Sequence, residues 1–140
     1  MEPILANSQT SLTGLVLFVA YFVTAIVLLL IFMKIYTMLT PFDDVALIKA
    51  NNVSASVVFV GAMLGFGAPI ASAAANSISL LDFAIWAGIA GIVQILTFLA
   101  FRKFYPLVSD RIEKGEIAVA IKLGGLSVTV GLINAACITY

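Results

Sequence analysis

The stretch Leu12–Met33 reads LTGLVLFVAYFVTAIVLLLIFM and is followed at once by Lys34. It carries no charged side chain. At about 1.5 Å per residue its length crosses the roughly 30 Å of a bilayer's hydrocarbon core. Three further runs repeat that character, at Val53–Ala75, Phe83–Phe101 and Ile117–Ile138. Between them lie only short connections, so no soluble domain is left over. Hydrophobic residues make up 63% of the 140, and charged residues 10%. A soluble domain of this size has too little polar surface to cover so much apolar area. The expected fold is all-α: one polytopic transmembrane domain, residues 1–140, built from four spans.

The basic residues fix an orientation. Lys34 and Lys49 fall between the first and second runs. Arg102, Lys103, Arg111 and Lys114 fall between the third and fourth, and Lys122 lies just inside the fourth. The N-terminal tail, the connection from Ala75 to Asp82 and the last residues near Tyr140 have none. Positive charge is retained on the cytoplasmic side, so both basic loops are expected inside and both termini periplasmic. The tail Met1–Thr10 lacks the basic region of a secretory signal, and the first run is too long for a signal core, so it reads as a retained helix. A net charge of +0 gives no footprint for nucleic acid. The chain has no histidine, which removes the commonest metal ligand and proton relay, and no cofactor motif appears. Its single cysteine, Cys137, cannot form an intrachain disulfide and reads as a small packing residue.

Sliding the chain on itself by about 64 residues brings Ile48–Val53 over Ile112–Ile117, Gly61 over Gly125, Gly67 over Gly131 and Ala71 over Ala135. Asn51 falls over Gly115, and both tolerate the left-handed conformation that ends a helix. Each half therefore reads as a span, a short helix, a helix stop and a second span, with repeat 1 at about 12–76 and repeat 2 at about 77–140. Each unit has two spans, so the repeat is parallel, about an axis along the membrane normal. In the inner loops Thr40, Pro41 and Asp43 supply an N-cap, a first helical position and an acid in the first turn. Phe42, Val45, Ala46 and Ile48 can share one face, opposite Asp44 and Lys49. Pro106, Ser109 and Gly115 repeat the layout. Short amphipathic helices on the membrane surface are expected in both loops.

Small residues mark helix contacts. Gly61 and Gly65 form a GxxxG pair in the second span, Gly88 and Gly91 lie in the third and Gly131 in the fourth. Pro69 is expected to bend the second span. Polar groups at membrane depth are expensive unless paired or wet, which makes Gln94, Asn76, Asn134, Asp82 and Lys122 candidates for a pore or polar intramembrane role. Structural readings stand beside them: interhelical hydrogen bonds for the amides, helix capping for Asp82, and for Lys122 snorkelling or a buried pair with Glu116 or an acid of the other loop. Asp43, Asp44, Arg111 and Lys114 are candidates for docking a partner on the inner loops. No catalytic, metal-binding or covalent constellation appears, so an enzyme is not expected.

The segments Leu39–Asp44, Gly65–Pro69, Ser79–Phe83 and Gly131–Tyr140 resemble a bacterial inner-membrane family, that of domain of unknown function 350 (YjfL-like, UPF0719 group). The resemblance covers nearly the whole chain. It implies a small polytopic inner-membrane protein without an assigned biochemical role, in a genetic neighbourhood of phage-shock-like envelope-stress proteins. It carries over no catalytic residue. Two functions of different class follow. One is a homo-oligomeric channel or permease for ions or small solutes, because four helices hardly enclose a path alone. The other is a membrane anchor that recruits an envelope-stress partner through the inner loops.

Overall fold

The structure, a computed structural model, describes the backbone of residues 2–139 and the side chains of residues 10–139. Met1 and Tyr140, which end the tail and the closing motif, lie outside the described residues. Six helices follow one another: α1 Glu2–Leu39, α2 Asp44–Lys49, α3 Val53–Asn76, α4 Leu80–Phe104, α5 Val108–Glu113 and α6 Ile117–Cys137. Four segments are long and apolar enough to span a membrane: Thr10–Leu39, Val53–Asn76, Leu80–Phe104 and Ile117–Cys137. The chain is thus all-α with four candidate spans.

Proline sets where the first and third spans stop. The first runs past the expected Met33 because nothing before Pro41 breaks it, and a proline disfavours helical backbone at the residue preceding it. Pro106 ends α4 in the same way: Tyr105 sits at φ −127°, ψ 75°, outside the helical region.

The core is the pair α3 and α6. Their contacts advance together, Gly61 against Gly124, Gly65 against Gly131 and Ser72 against Ala135, so the two helices run parallel. Backbones touch where side chains are missing. A Cβ on Gly61 would lie 2.5 Å from Cα of Gly124, and one on Gly131 would collide with the carbonyl oxygen of Gly65. Close approach of this kind drives association in lipid, where burying apolar area earns little. The Ser72 hydroxyl closes the far end of the pair, donating to the Ala135 carbonyl at 2.6 Å.

α4 packs on both core helices, and its Phe83, Ala87, Ala90, Gln94 and Phe98 are buried. Gly91 belongs to this packing, with Phe32 and Phe66 in contact range of its missing Cβ. Gly88, expected among the packing glycines, has no described atom of another element within 4 Å of that position and is exposed. α1 lies outermost, on α3 and α4, held by aromatic contacts: Tyr21 on Phe83 at 5.6 Å, Phe32 on Phe66 at 4.0 Å and Tyr36 edge-on to Phe98 at 5.4 Å. Its other face, with Leu15, Val16, Phe18 and Leu30, is open to lipid.

The loop helices differ from their sequence reading in two ways. Asp43, not Thr40, is the N-cap of α2, its carboxylate accepting from the Ala46 amide at 3.0 Å. The expected face is also rotated: Phe42 and Asp44 are buried, while Val45 is half exposed. The reason is a local bond across the turn at Pro41, since the Thr40 hydroxyl donates to Asp44 at 2.6 Å and turns that acid inward. α5 buries Val108 and Ile112 against the bundle end. Asn51 and Gly115 both take left-handed backbone, at φ 64° and 81°. The next residue, Asn52, joins the loops: its side chain caps α3 and donates to the carbonyls of Ile112 and Glu113, each at 3.1 Å.

Candidate functional site

Pro69 sits inside α3 without an N–H, so the carbonyl of Gly65, four residues earlier, loses its helical donor. Gln94 replaces it. The amide of this buried side chain donates to the Gly65 carbonyl at 2.8 Å and to that of Ser127 at 2.9 Å. One side chain from α4 therefore binds α3 and α6 at the middle of the bundle. Of the five polar intramembrane candidates, Gln94 is bound into the core, where it joins three helices.

The others sit nearer the ends. At the end opposite the loop helices, Asn76 donates back to the Ser72 carbonyl at 2.8 Å. Asp82 accepts from the Ile78 amide at 3.1 Å, while its own amide donates to the Ser79 hydroxyl. Both close helix ends. Near the same end, the amide nitrogen of Asn134 and the hydroxyl of Ser77 are buried, and no group among the described residues bonds either atom. Lys122 lies at the loop end, on the α6 face toward α4. Its ammonium donates to the Tyr105 hydroxyl and stands 4.3 Å from the centre of that ring. Glu116, one of the acids expected as its partner, is taken by Arg111 at 2.5 Å.

A second polar group, which sequence reasoning missed, lies where α1 meets α2. Asp44 is 1% exposed and Tyr36 2% exposed, and Tyr36 is within electrostatic reach of the acid. One carboxylate oxygen of Asp44 is held by Thr40. The other has no hydrogen-bond partner among the described residues, and neither has the Tyr36 hydroxyl or that of Ser54, which lies in the first turn of α3 at the same end. Burial pushes the Asp44 carboxyl above its ordinary range, and the neighbouring charge of Asp43 adds to this, against the lowering bond from Thr40. Asp44 therefore differs from the other docking candidates: Asp43, Arg111 and Lys114 are exposed on the loop surface, and Asp44 is beneath it. The burial could not be read from helical period, because Pro41 breaks the register that links Tyr36 and Thr40 to Asp44. Among the described residues, no group of three His, Cys, Asp or Glu side chains could hold a metal ion.

The model of the family described as Domain of Unknown Function (DUF350) matches residues 10–138. The chain belongs to the DUF350 family. It is 38% identical to the UPF0719 inner membrane protein YjfL of Escherichia coli (strain K12) over 129 residues, 92% of this chain and 98% of that protein. The same identity and coverage hold for the protein of that name in Escherichia coli O157:H7. No solved structure matches. This DUF350 chain is accordingly a small multi-pass inner-membrane protein, of a family whose name carries no enzymatic activity and no assigned role.

Proposed function

We propose that the protein is a homo-oligomeric channel or permease for ions or small solutes, with several copies surrounding the path. The observation that supports this is the set of buried polar atoms left unbonded by the chain at both ends of the bundle. Tyr36, Asp44 and Ser54 supply them at the loop end, Ser77 and Asn134 at the other. Each such atom costs about 1–3 kcal/mol unless something else satisfies it. A pure anchor has no use for that cost, whereas water admitted along a polar path would meet it. Asp44 is then the proton-sensitive group at one mouth, since an ionisable residue at the membrane boundary with a raised pKa is a functional candidate.

The test is ion flux from liposomes containing the purified protein, followed across pH, with Asp44→Asn alongside. Wild-type flux should change through and above the ordinary carboxylate range, and Asp44→Asn should remove that dependence. Flux no greater than from empty liposomes, or a native mass of one or two chains, would overturn the reading.

One observation favours the anchor as a second reading. Asn52 locks the two loops into a single surface that displays Asp43 and Lys114. If that surface recruits an envelope-stress partner, reversing both charges should abolish recruitment and leave the spans inserted.

A further inference from the structure

We infer that the groove between α4 and α6 at the loop end is a binding site for one anionic phospholipid, its phosphate on Lys122. The groove has a volume of about 720 Å³, within the range of pockets that hold drug-sized ligands, with room for a headgroup and part of one acyl chain. Thr97, Ala100, Phe101 and Phe104 line it from α4, and Leu126 and Val130 from α6. These walls are nearly all apolar, which suits an acyl chain lying along the helices.

The charge at its end selects the headgroup. Lys122 is five residues into α6, about 7 Å along the axis at 1.5 Å per residue, so its ammonium lies at the depth of phosphates and not of methylene tails. Its position is set: the Tyr105 hydroxyl accepts from it, at the edge of a ring whose centre is 4.3 Å away. That ring is fixed in turn by stacking on Phe101 at 4.6 Å. The ammonium meets no acid there. Arg111–Glu116 is the one ion pair among the described residues, and it engages the acid nearest Lys122 in sequence. A cation held by a tyrosine, uncompensated, at the mouth of an apolar groove between transmembrane helices is complementary to an anionic headgroup with its tail. A zwitterionic lipid offers the same tail without the net charge.

The experiment uses the full chain, delipidated and reconstituted into nanodiscs of equimolar phosphatidylglycerol and phosphatidylcholine with identical acyl chains. Lipid retained after gas-phase release is counted per chain. Wild type should keep one phosphatidylglycerol at least tenfold over phosphatidylcholine. Lys122→Met should bring the two to parity, and Lys122→Arg should preserve the preference. Leu126→Trp, which fills the groove and leaves the charge in place, should lose the retained lipid; it supplies the test by itself if Lys122→Met does not fold. Parity in wild type, a preference that survives Lys122→Met, or full retention in Leu126→Trp would each overturn the site.

Discussion

A helix-interior proline removes one hydrogen bond from its own helix, and at Pro69 the loss is repaired from another helix. The Gly65 carbonyl it frees is bonded by Gln94 at 2.8 Å. Replacing Gln94 by Met, similar in length but without a donor, should therefore destabilise the fold by about 1–3 kcal/mol. Replacing Pro69 by Ala restores the N–H that Gly65 needs, so the second change should recover most of the loss in the Gln94→Met background. The four proteins of this cycle, unfolded thermally in one detergent, give the coupling; simple additivity would separate Pro69 from Gln94. Asp44 makes a pH prediction. Its folded pKa is raised, so the native state prefers the protonated acid, and stability falls as pH rises from the ordinary carboxylate range through the folded value. Asp44→Asn can still accept from Thr40 but carries no charge. It should be the more stable protein at neutral pH, and its advantage should close as the pH falls below that window. Melting curves at several pH values decide it. At this scale the sequence made Gln94 visible, as a polar residue in the middle of an apolar run. It marked Asp44 only as a surface docking candidate and hid its burial, which is set by the path of the chain around Pro41 and not by helical period.

Helix by helix, the contacts depend on which glycines face a neighbour. All five packing candidates look alike in sequence, yet Gly61, Gly65 and Gly131 meet backbone, Gly91 meets aromatic rings and Gly88 meets no described atom of another element. Gly131→Ala should thus cost about 1–3 kcal/mol by forcing α3 and α6 apart. Gly88→Ala should be neutral or gain up to about 1 kcal/mol of helix propensity. Thermal stability of the two variants in the same detergent separates the effects; if Gly131→Ala is no worse than Gly88→Ala, close backbone approach is not what holds the core. The existence and approximate bounds of the four spans were legible because length and apolarity suffice to find them. The packing order was not. α3 and α6 are the helices that the offset of about 64 residues superposes, and they form the central pair, whereas α4 contacts both of them and α1 rests on α3 and α4. Hydropathy sets the first span apart as the most apolar but does not rank the other three; side-chain size at each crossing picks out the core pair.

For the whole molecule the question is which way it faces. All seven basic residues gather toward one end, on the C-terminal turns of α1 and α4, on α2, on and just after α5, and on the first turns of α6. The opposite end presents Asn76, Ser77 and Asp82 and no lysine or arginine. Retention of positive loops on the cytoplasmic side predicts α2 and α5 inside and the C-terminus outside. A fluorescent reporter that matures only in the cytoplasm should accordingly be dark when fused after Thr139, and a phosphatase active only in the periplasm should work there. The same two reporters fused after Ala50, beyond α2, should give the reverse. The pair of fusions matters because a dark C-terminal reporter alone could mean degradation, whereas reciprocal signals at Ala50 and Thr139 require opposite sides. A cytoplasmic C-terminus would invert the assignment. The Lys122 groove would then open to the outer leaflet, and a partner of the Asn52-linked surface would have to be sought in the periplasm.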